Sequence, residues 1–228
     1  CYGATTFFMS MLAGLQGIRS IVSSQIATNI VVPTATKVKT GLHMPGFLDK
    51  LGIHSLTARV PDGGGSLMTH LYDKALSVYA LAEAQGQCQS DSCHRITFMY
   101  ASLYRHETLN DRLHSHLGEL FAEANMQTLE HLAEMCRKGL VVNFEGKDIY
   151  MPNIDRLNLP ILFISGAQNE CYLPESTEIT FNLLREKFDA TQYSRQVIEG
   201  YGHIDCIFGR KAAQDVFPYI VEHLNKTA

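Results

Sequence analysis

The stretch "LPILFISG" (residues 159–166) decides the fold, because it is a short apolar run that begins after a leucine–proline pair and ends at a glycine. Such a run is typical of a β-strand that is buried on both faces of a parallel sheet. A second strand is predicted in "YSRQVIEGYGH" (193–203), and "PESTEITFNLLREKF" (174–188) between them predicts a helix. Strand–helix–strand order at this spacing predicts an α/β fold with a parallel sheet. The apolar side chains of this helix that we expect to face the sheet are Ile179, Leu183, Leu184 and Phe188.

Both ends of the chain continue this pattern. Apolar residues at helical spacing after Cys1 predict a helix that ends near Gly14 or Gly17. "IRSIVSSQIATNIVVP" (18–33) then predicts a strand and its exit. A last helix is predicted over residues 210–225, with a bend at Pro218. Its inward-facing side chains are expected to be Ala212, Val216, Tyr219, Ile220 and Leu224.

The middle of the chain, residues 38–152, has a different pattern. After loop-like sequence, helical periodicity is present at 67–82, 109–121 and 129–136, and Gly139 is placed to cap the last of these helices. A mostly helical insertion between parallel strands predicts a cap over the carboxyl edge of the sheet, where α/β proteins place their sites. Its Met- and Tyr-rich segments either line an apolar pocket or pack in an ordinary core. The predicted organisation is α/β core at 1–37, cap at 38–152 and α/β core again at 153–228.

Composition argues against two classes of function. The net charge is −4 and no dense run of Lys or Arg is present, which argues against a nucleic-acid surface. No apolar stretch approaches the roughly 20 residues that a transmembrane helix needs. We therefore expect no nucleic-acid partner and no transmembrane segment.

The cysteines and histidines do not predict a metal site. Six cysteines are too few for a dense disulfide framework in 228 residues. Cys88 and Cys93 either form a small local bridge or remain free thiols, and no CxxC pair is present. His106, His114 and His116 lie close in sequence, but residues two apart on a helix point about 200° away from each other. We therefore expect no metal ligands and leave the redox compartment open.

Cys1-Tyr2-Gly3 has the pattern of a nucleophile elbow. In the G-x-S-x-G form, small residues flank the nucleophile because the turn from strand to helix is sharp. Gly3 occupies the second glycine position and Cys1 takes the place of serine. A thiol at a helix N-terminus has a lowered pKa, and the backbone N–H of Tyr2 would be one oxyanion donor. The alternative is a terminal thiol without a chemical role.

Candidate partners of this nucleophile follow the two C-terminal strands. His203 lies in a Gly-rich loop ahead of the last helix, which is where the base lies in the chain order nucleophile, acid, base. The residue that orients it is expected in "ISGAQNECYLPE" (164–175). Asn169 falls at that position and Glu170 is adjacent, and both are candidates because a Cys–His pair tolerates an amide partner. Asp205 is a local hydrogen-bond partner or a helix cap.

Three segments together resemble a known family. "CYGATTFFMSMLAGLQGIRSIVSSQ" (1–25), "GAQNECYLPEST" (166–177) and "GYGHIDCIFGRKAAQDVFPYI" (200–220) resemble the α/β-hydrolase domain at the C-terminal end of bacterial flavoproteins of the glucose-methanol-choline type, often labelled cholesterol oxidase-like. "CYGAT" also resembles the cysteine lipase box of polyhydroxyalkanoate synthases, and "GYGHIDCIFG" is similar to the histidine segment of acid lipases.

The resemblance implies roles for particular residues. By position, Cys1 is the nucleophile, His203 is the base, and Asn169 stands where the lipases have an aspartate. It also implies that the strand before Cys1, and further strands, belong to an N-terminal part of the same polypeptide that could bind FAD. No cofactor is expected in the present chain itself.

Three functions follow as hypotheses. The first is an enzyme that acts on an ester or thioester of a lipophilic acyl or sterol substrate through Cys1, His203 and Asn169 or Glu170. The second is a non-catalytic lipid- or sterol-binding domain of a longer flavoprotein, which an asparagine in the acid position favours. The third is an acyltransferase similar to polyhydroxyalkanoate synthases. A hydrolase with an N-terminal nucleophile is disfavoured, because the periodicity after Cys1 is helical.

Overall fold

The computed structural model describes residues 2–60, 70, 73, 74, 76, 88–121 and 123–228. Its strands are β1 (Ile21–Ser24), β2 (Ser55–Thr57), β3 (Glu123–Asn125), β4 (Ile161–Gly166) and β5 (Tyr193–Ile198). The α-helices within the described residues are α1 (Tyr2–Ala13), α2 (Thr34–Gly41), α3 (Met44–Lys50), α4 (Asp91–Met99), α5 (Asp111–Ser115), α6 (Leu117–Leu120), α7 (Met126–Lys138), α8 (Glu175–Lys187), α9 (Asp205–Phe208), α10 (Ala212–Asp215) and α11 (Phe217–Lys226). Short 3₁₀ helices cover His106–Thr108, Met151–Leu157 and Ala190–Gln192. In this part of the chain, no helix has the length and apolar character to cross a membrane.

The central sheet is parallel, with the strand order β1–β4–β5. Every residue of β4 is buried. Ile161 and Phe163 belong to one hydrophobic cluster, whereas Leu162 and Ile164 belong to a second cluster. Because successive side chains of a strand point to opposite faces, the sheet has an apolar layer on each side. The predicted α/β fold with a parallel sheet is confirmed.

The segment 18–33 contains strand β1 and its exit, as predicted. Strand β1 ends at Ser24, because Gln25 adopts a left-handed conformation with φ of 76° that an extended strand cannot contain. The backbone N–H of Gln25 still bonds to Ile164 O at 2.6 Å. The chain therefore leaves the sheet at the carboxyl end of β1, beside the end of β4.

Helix α8 connects β4 to β5 as predicted, but it buries a different face. Leu184 is buried, whereas Ile179 is 44% exposed, so the prediction that Ile179 faces the sheet is wrong. Hydroxyl side chains occupy the buried face instead. Ser176 Oγ accepts a hydrogen bond from Val31 N–H at 2.9 Å, and Thr180 Oγ1 accepts one from Asn29 N–H at 3.1 Å. These bonds satisfy backbone groups of the loop after β1 that would otherwise be buried without partners.

The predicted last helix is two helices. Val216 has φ of −118° and ψ of −48°, and α11 begins after it with Pro218 in its first turn. The bend expected near Pro218 is therefore confirmed as a break. Val216 is buried, but Tyr219 and Leu224 are 38% and 49% exposed. The prediction that these two residues face inward is wrong, because one apolar stripe does not continue across the break.

The described part of the predicted cap is mostly helical, as expected. The pattern at 129–136 lies in α7, which ends at Gly139 with φ of 72° as predicted. The pattern at 109–121 is not one helix, because His116, with φ of −108°, separates α5 from α6. The pattern at 67–82 lies largely outside the described residues. The antiparallel pair β2–β3 was not predicted, and the boundaries at 37/38 and 152/153 remain predictions.

Candidate functional site

The loops that follow the strands of the central sheet meet at its carboxyl edge. The turn after β4 bonds to the loop after β5 through Ala167 N–H to Ile198 O and Gln168 N–H to Tyr201 O, each at 2.9 Å. In open α/β sheets this edge is where ligands bind. The structure brings Asn169 and His203 into contact there.

Gly166, the last residue of β4, permits this close approach. A Cβ atom at this position would lie 2.0 Å from Gly202 O and 2.3 Å from Tyr201 O. No side chain is accommodated at such distances, so the residue has to be glycine for the backbones to approach. The glycine that closes "LPILFISG" is thus required by the geometry of the site.

The side-chain amide of Asn169 is buried and has one possible orientation. Its Oδ1 accepts hydrogen bonds from the backbone N–H groups of Cys171 and Tyr172, both at 3.0 Å. Its Nδ2 donates to Gln25 Oε1 at 2.9 Å and to His203 Nδ1 at 3.2 Å. Backbone N–H groups only donate. If the amide were turned around, its Nδ2 donors would face the N–H donors of Cys171 and Tyr172.

The Asn169 amide determines which nitrogen of His203 carries the proton. Because Nδ1 accepts from Asn169, the neutral ring carries its proton on Nε2. His203 is 1% exposed, and burial lowers its pKa well below the ordinary value for histidine. The ring of Tyr172 packs against the imidazole at a centroid distance of 5.5 Å. His203 is therefore a neutral imidazole with an Nε2–H donor, whereas the base of a Ser-His-Asp triad donates Nδ1–H to a carboxylate.

Gln25 is the member of this network that the sequence did not predict. It is 2% exposed. Its Oε1 accepts from Gly166 N–H at 2.9 Å as well as from Asn169. Its left-handed backbone conformation is of the kind that persists where the surroundings impose it, which is common at functional sites. The one available signal was a long polar side chain inside an apolar segment.

Asp205 anchors the loop that carries His203 and does not bond to the imidazole. Its carboxylate is buried, and Oδ2 accepts from Gly202 N–H at 2.9 Å and from Thr108 Oγ1 at 2.8 Å. The backbone N–H of Arg105 donates to the same oxygen at 3.3 Å. Asp205 therefore ties the histidine loop to the segment 105–108 of the cap.

The structure gives positions for Glu170 and Tyr2, two of the remaining candidate site residues, but not for Cys1. Glu170 is exposed, and Asn169 is the residue of this pair that contacts His203. Cys1 lies outside the described residues, so its role as nucleophile remains a prediction. Tyr2 is the first residue of α1, and the backbone N–H of a first helical residue has no acceptor within its helix.

Helix α1 points its N-terminus toward the carboxyl edge of the sheet. At its far end, Leu12 O accepts a hydrogen bond from Arg156, which precedes β4. At its start, the Tyr2 hydroxyl lies 3.4 Å from His131 Nδ1. His131 Nε2 donates at 2.8 Å to Val142 O, in a segment bonded to the loop after β1. The positive end of the helix dipole therefore lies on the same side as His203.

An apolar cavity of about 540 Å³ lies between the cap helices and the Asn169 turn. Cys171 and Tyr172, which bind the Asn169 amide through their backbones, form part of its wall. This volume falls within the roughly 300–1,000 Å³ of small-molecule sites. The rest of the wall is mostly apolar and includes Val38, Leu42, Leu48, Phe98, Met99, Met126, Leu129, Leu132 and Cys136.

Comparison with solved structures identifies the fold. The chain resembles the monoacylglycerol lipase of Paleococcus ferrophilus with a TM-score of 0.52 and 12% identity, over 99% of this chain and 65% of the lipase. The chain has an α/β-hydrolase fold. E-2-(acetamidomethylene)succinate hydrolase aligns at a TM-score of 0.43 and 15% identity, over 99% of this chain and 63% of that protein. A soluble variant of the monoglyceride lipase of Saccharomyces cerevisiae aligns at a TM-score of 0.41 and 12% identity, over 90% of this chain and 56% of that protein.

The likeness to the monoacylglycerol lipase establishes the fold and not the reaction. The chain spans 65% of the length of the monoacylglycerol lipase. No family model and no curated protein match the chain. The attachment to a flavoprotein implied by the sequence resemblance therefore remains a prediction.

Proposed function

We propose that the chain forms part of an α/β-hydrolase-type enzyme that acts on an ester or thioester of a lipophilic acyl or sterol group. Cys1 is the nucleophile in this proposal, His203 is its imidazole partner, and Asn169 fixes the imidazole. The observation that supports it most strongly is the His203–Asn169 hydrogen bond at the carboxyl edge of the sheet, beside an apolar cavity.

The cavity is suited to the lipophilic part of such a substrate. It is large, and its wall is formed mainly by aliphatic and aromatic side chains. Tyr172 links it to the imidazole, since this residue lines the cavity and packs on His203. An acyl chain or sterol ring in the cavity would leave its carbonyl group near the Asn169 turn.

The neutral state of His203 restricts the chemistry in this proposal. An Nε2–H group can hydrogen-bond to a thiolate or an oxyanion but cannot accept a proton from a thiol. The Cys1 thiolate would instead be stabilised by the N-terminus of α1. Attack on a thioester carbonyl forms an acyl–sulfur bond to Cys1 and expels a thiolate, which leaves without taking up a proton. An oxygen ester would have to expel a far more basic alkoxide, so we expect thioesters to react faster.

The test uses the full-length protein with an octanoyl thioester and the matching oxygen ester. We expect thiol release and an octanoyl adduct on Cys1 in the intact mass spectrum. Cys1→Ala is expected to abolish both, and His203→Ala, which removes the Nε2–H donor, to slow thiol release by about 100-fold or more. His54→Ala, which removes an exposed histidine of the cap, serves as the control and should retain the full rate. Thiol release that survives Cys1→Ala would overturn the proposal.

A second candidate function is a lipid- or sterol-binding domain without turnover. The observation that favours it is the Asn169 orientation, because replacing the triad aspartate by asparagine lowers kcat by about 10⁴ in a serine protease through the wrong histidine tautomer. This candidate predicts stoichiometric binding of a fluorescent sterol or fatty acyl probe, weakened by Leu129→Trp in the cavity wall, with no adduct on Cys1. An adduct that depends on His203 would exclude it.

A further inference from the structure

Four potential metal ligands converge in the cap. One ligand atom from each of Cys88, Cys93, His106 and His114 lies within 4.8 Å of the other three. His114 Nε2 is 3.1 Å from Cys93 Sγ and 3.4 Å from Cys88 Sγ. The side chains come from the segment before α4, the first turn of α4, a 3₁₀ helix and α5.

We propose that these four side chains bind one Zn²⁺ ion. Zinc–sulfur bonds of about 2.3 Å and zinc–nitrogen bonds of about 2.0–2.1 Å place the donor atoms of a tetrahedral Cys₂His₂ site about 3.3–3.8 Å apart. The two sulfur–nitrogen distances at His114 are already close to these values. Small side-chain rotations bring the remaining atoms into range. Four protein ligands leave no open coordination position, so the ion is structural and not catalytic.

The surroundings of the cluster are those of a metal site. Within the described residues, the buried Nε2 of His106 has no hydrogen-bond partner, which is unusual for a buried polar atom. The ring centroids of His106 and His114 are 5.1 Å apart. The sulfurs already accept hydrogen bonds of the kind that orient metal ligands: Ser90 N–H donates to Cys88 at 3.4 Å, and Tyr104 O–H donates to Cys93 at 3.1 Å.

The spacing of these ligands explains why the sequence did not predict the site. The pattern is C-x₄-C-x₁₂-H-x₇-H, in which the cysteine spacing is ordinary for zinc and the histidine spacing is longer than usual. His116 lies outside the cluster, just after α5, and His106 reaches His114 from a separate 3₁₀ helix. Cys88 and Cys93 are close in sequence, but only the fold of the cap brings the two histidines to them.

The site connects the cap to the loop that carries His203. His106 lies between Arg105 and Thr108, and both of these residues donate hydrogen bonds to the Asp205 carboxylate. The backbone N–H of Ile204 also donates to Leu103 O at 2.8 Å. An ion that fixes His106 therefore fixes the cap segment against which the histidine loop packs. This inference does not depend on the proposed reaction.

The experiment measures zinc by elemental analysis of the full-length protein, purified without chelator. We expect Cys93→Ser and His114→Asn each to lose one equivalent of zinc per chain relative to the unmodified protein. The control variants are Cys136→Ser, a buried cysteine outside the cluster, and His116→Asn, an exposed histidine two residues from a ligand. Both should retain the full zinc content. Equal zinc content in all four variants would overturn the proposal.

A second measurement covers variants that fail to fold. Chelated protein titrated with Co²⁺ is expected to show the intense visible bands of tetrahedral cobalt with thiolate ligands, saturating at one equivalent. Zinc should then displace the cobalt and raise the Tm of the cap. Absence of these bands, or a Cys88–Cys93 disulfide in the mass spectrum of the purified protein, would refute the zinc site.

Discussion

Asn169 controls what His203 can do, because one side chain settles the position of a single proton. Its oxygen is held by two backbone N–H groups, and its nitrogen is left to face the imidazole. A carboxylate in the same place would accept a hydrogen bond from Nδ1–H, and the unprotonated Nε2 would become a base. The atom of residue 169 that faces Nδ1 therefore decides the role of His203 Nε2. With nitrogen there, Nε2–H is a hydrogen-bond donor, and with oxygen there, Nε2 is a base.

We predict that Asn169→Asp raises the pKa of His203, because a carboxylate 3 Å away stabilises the imidazolium form. It should also increase hydrolysis of the oxygen ester by at least about 10-fold, with about 10⁴-fold as the upper bound set by the reverse change in a serine protease. Rates measured from pH 5 to 8 check both effects. Glu170→Gln removes the neighbouring exposed carboxylate and should leave the profile unchanged. A fall in ester hydrolysis in Asn169→Asp would contradict the assigned orientation.

Gln25 is predicted to contribute to stability through the same network. Gln25→Ala leaves Gly166 N–H and one Asn169 N–H without their acceptor in a buried site. Each unsatisfied buried donor costs about 1–3 kcal/mol, so for two donors we expect a loss of about 2–6 kcal/mol in the free energy of unfolding measured with urea. Gln127→Ala, at an exposed position of α7, is the matched control and should change it by no more than about 0.5 kcal/mol. Equal losses of unfolding free energy in Gln25→Ala and Gln127→Ala would mean that the hydrogen bonds of Gln25 do not stabilise the fold.

The sequence could predict His203 and Asn169 but not Gln25. The first two follow predicted strands at positions where parallel sheets place functional side chains, so topology alone points to them. Gln25 bonds to Asn169, which is 144 residues away in sequence. It does so through a left-handed backbone conformation that the local sequence pattern does not predict. Contacts of this kind require the folded chain.

At the scale of elements, the site depends on how closely the loop after β5 approaches the end of β4. Gly166→Ala is predicted to destabilise the fold by more than the roughly 1–3 kcal/mol of ordinary overpacking, because the added methyl meets backbone atoms that cannot rotate away. Thermal unfolding measures the effect. Gly41→Ala is the control, since a Cβ there meets nothing within 4 Å. A Tm for Gly166→Ala equal to that of the control would refute this interpretation.

The hydroxyl face of α8 gives a second prediction at this scale. Thr180→Val keeps the shape of the side chain but removes the acceptor for Asn29 N–H, so we expect a loss of about 1–3 kcal/mol in unfolding free energy. Ile179→Ala removes a larger apolar group from an exposed position and should cost less. A larger loss of unfolding free energy in Ile179→Ala than in Thr180→Val would show that α8 buries its apolar side chains and not its hydroxyl face.

Elements were predicted well where the pattern was long and apolar, and less well where polar groups are buried. "LPILFISG" predicted β4 because a central parallel strand needs apolar residues on both faces. The apolar positions of α8 do not mark its buried face, because that face also carries the hydroxyl side chains of Ser176 and Thr180. Their hydroxyls are buried because they complete the hydrogen bonds of another segment.

For the molecule as a whole, the buried neutral imidazole makes stability depend on pH. Burial lowers the pKa of His203 below its unfolded value, so below about pH 6.5 the unfolded chain binds a proton that the folded chain does not. This contribution to stability is present above that pH and is lost as the pH falls, by at most about 1.4 kcal/mol per pH unit. Urea unfolding between pH 5 and 7.5 should show a shallower slope in His203→Gln, and the wild-type slope in His54→Gln. An unchanged slope in His203→Gln would contradict the burial of a neutral ring.

The most direct measurement is the protonation of the His203 ring, read from a ¹H–¹⁵N correlation spectrum of the full-length protein labelled at histidine and assigned with His203→Gln. We predict an unprotonated Nδ1 and a protonated Nε2 at pH 7 in the wild-type protein. In Asn169→Asp, we predict that the proton moves to Nδ1. A wild-type spectrum with the proton on Nδ1 would show that the Asn169 amide does not donate to His203.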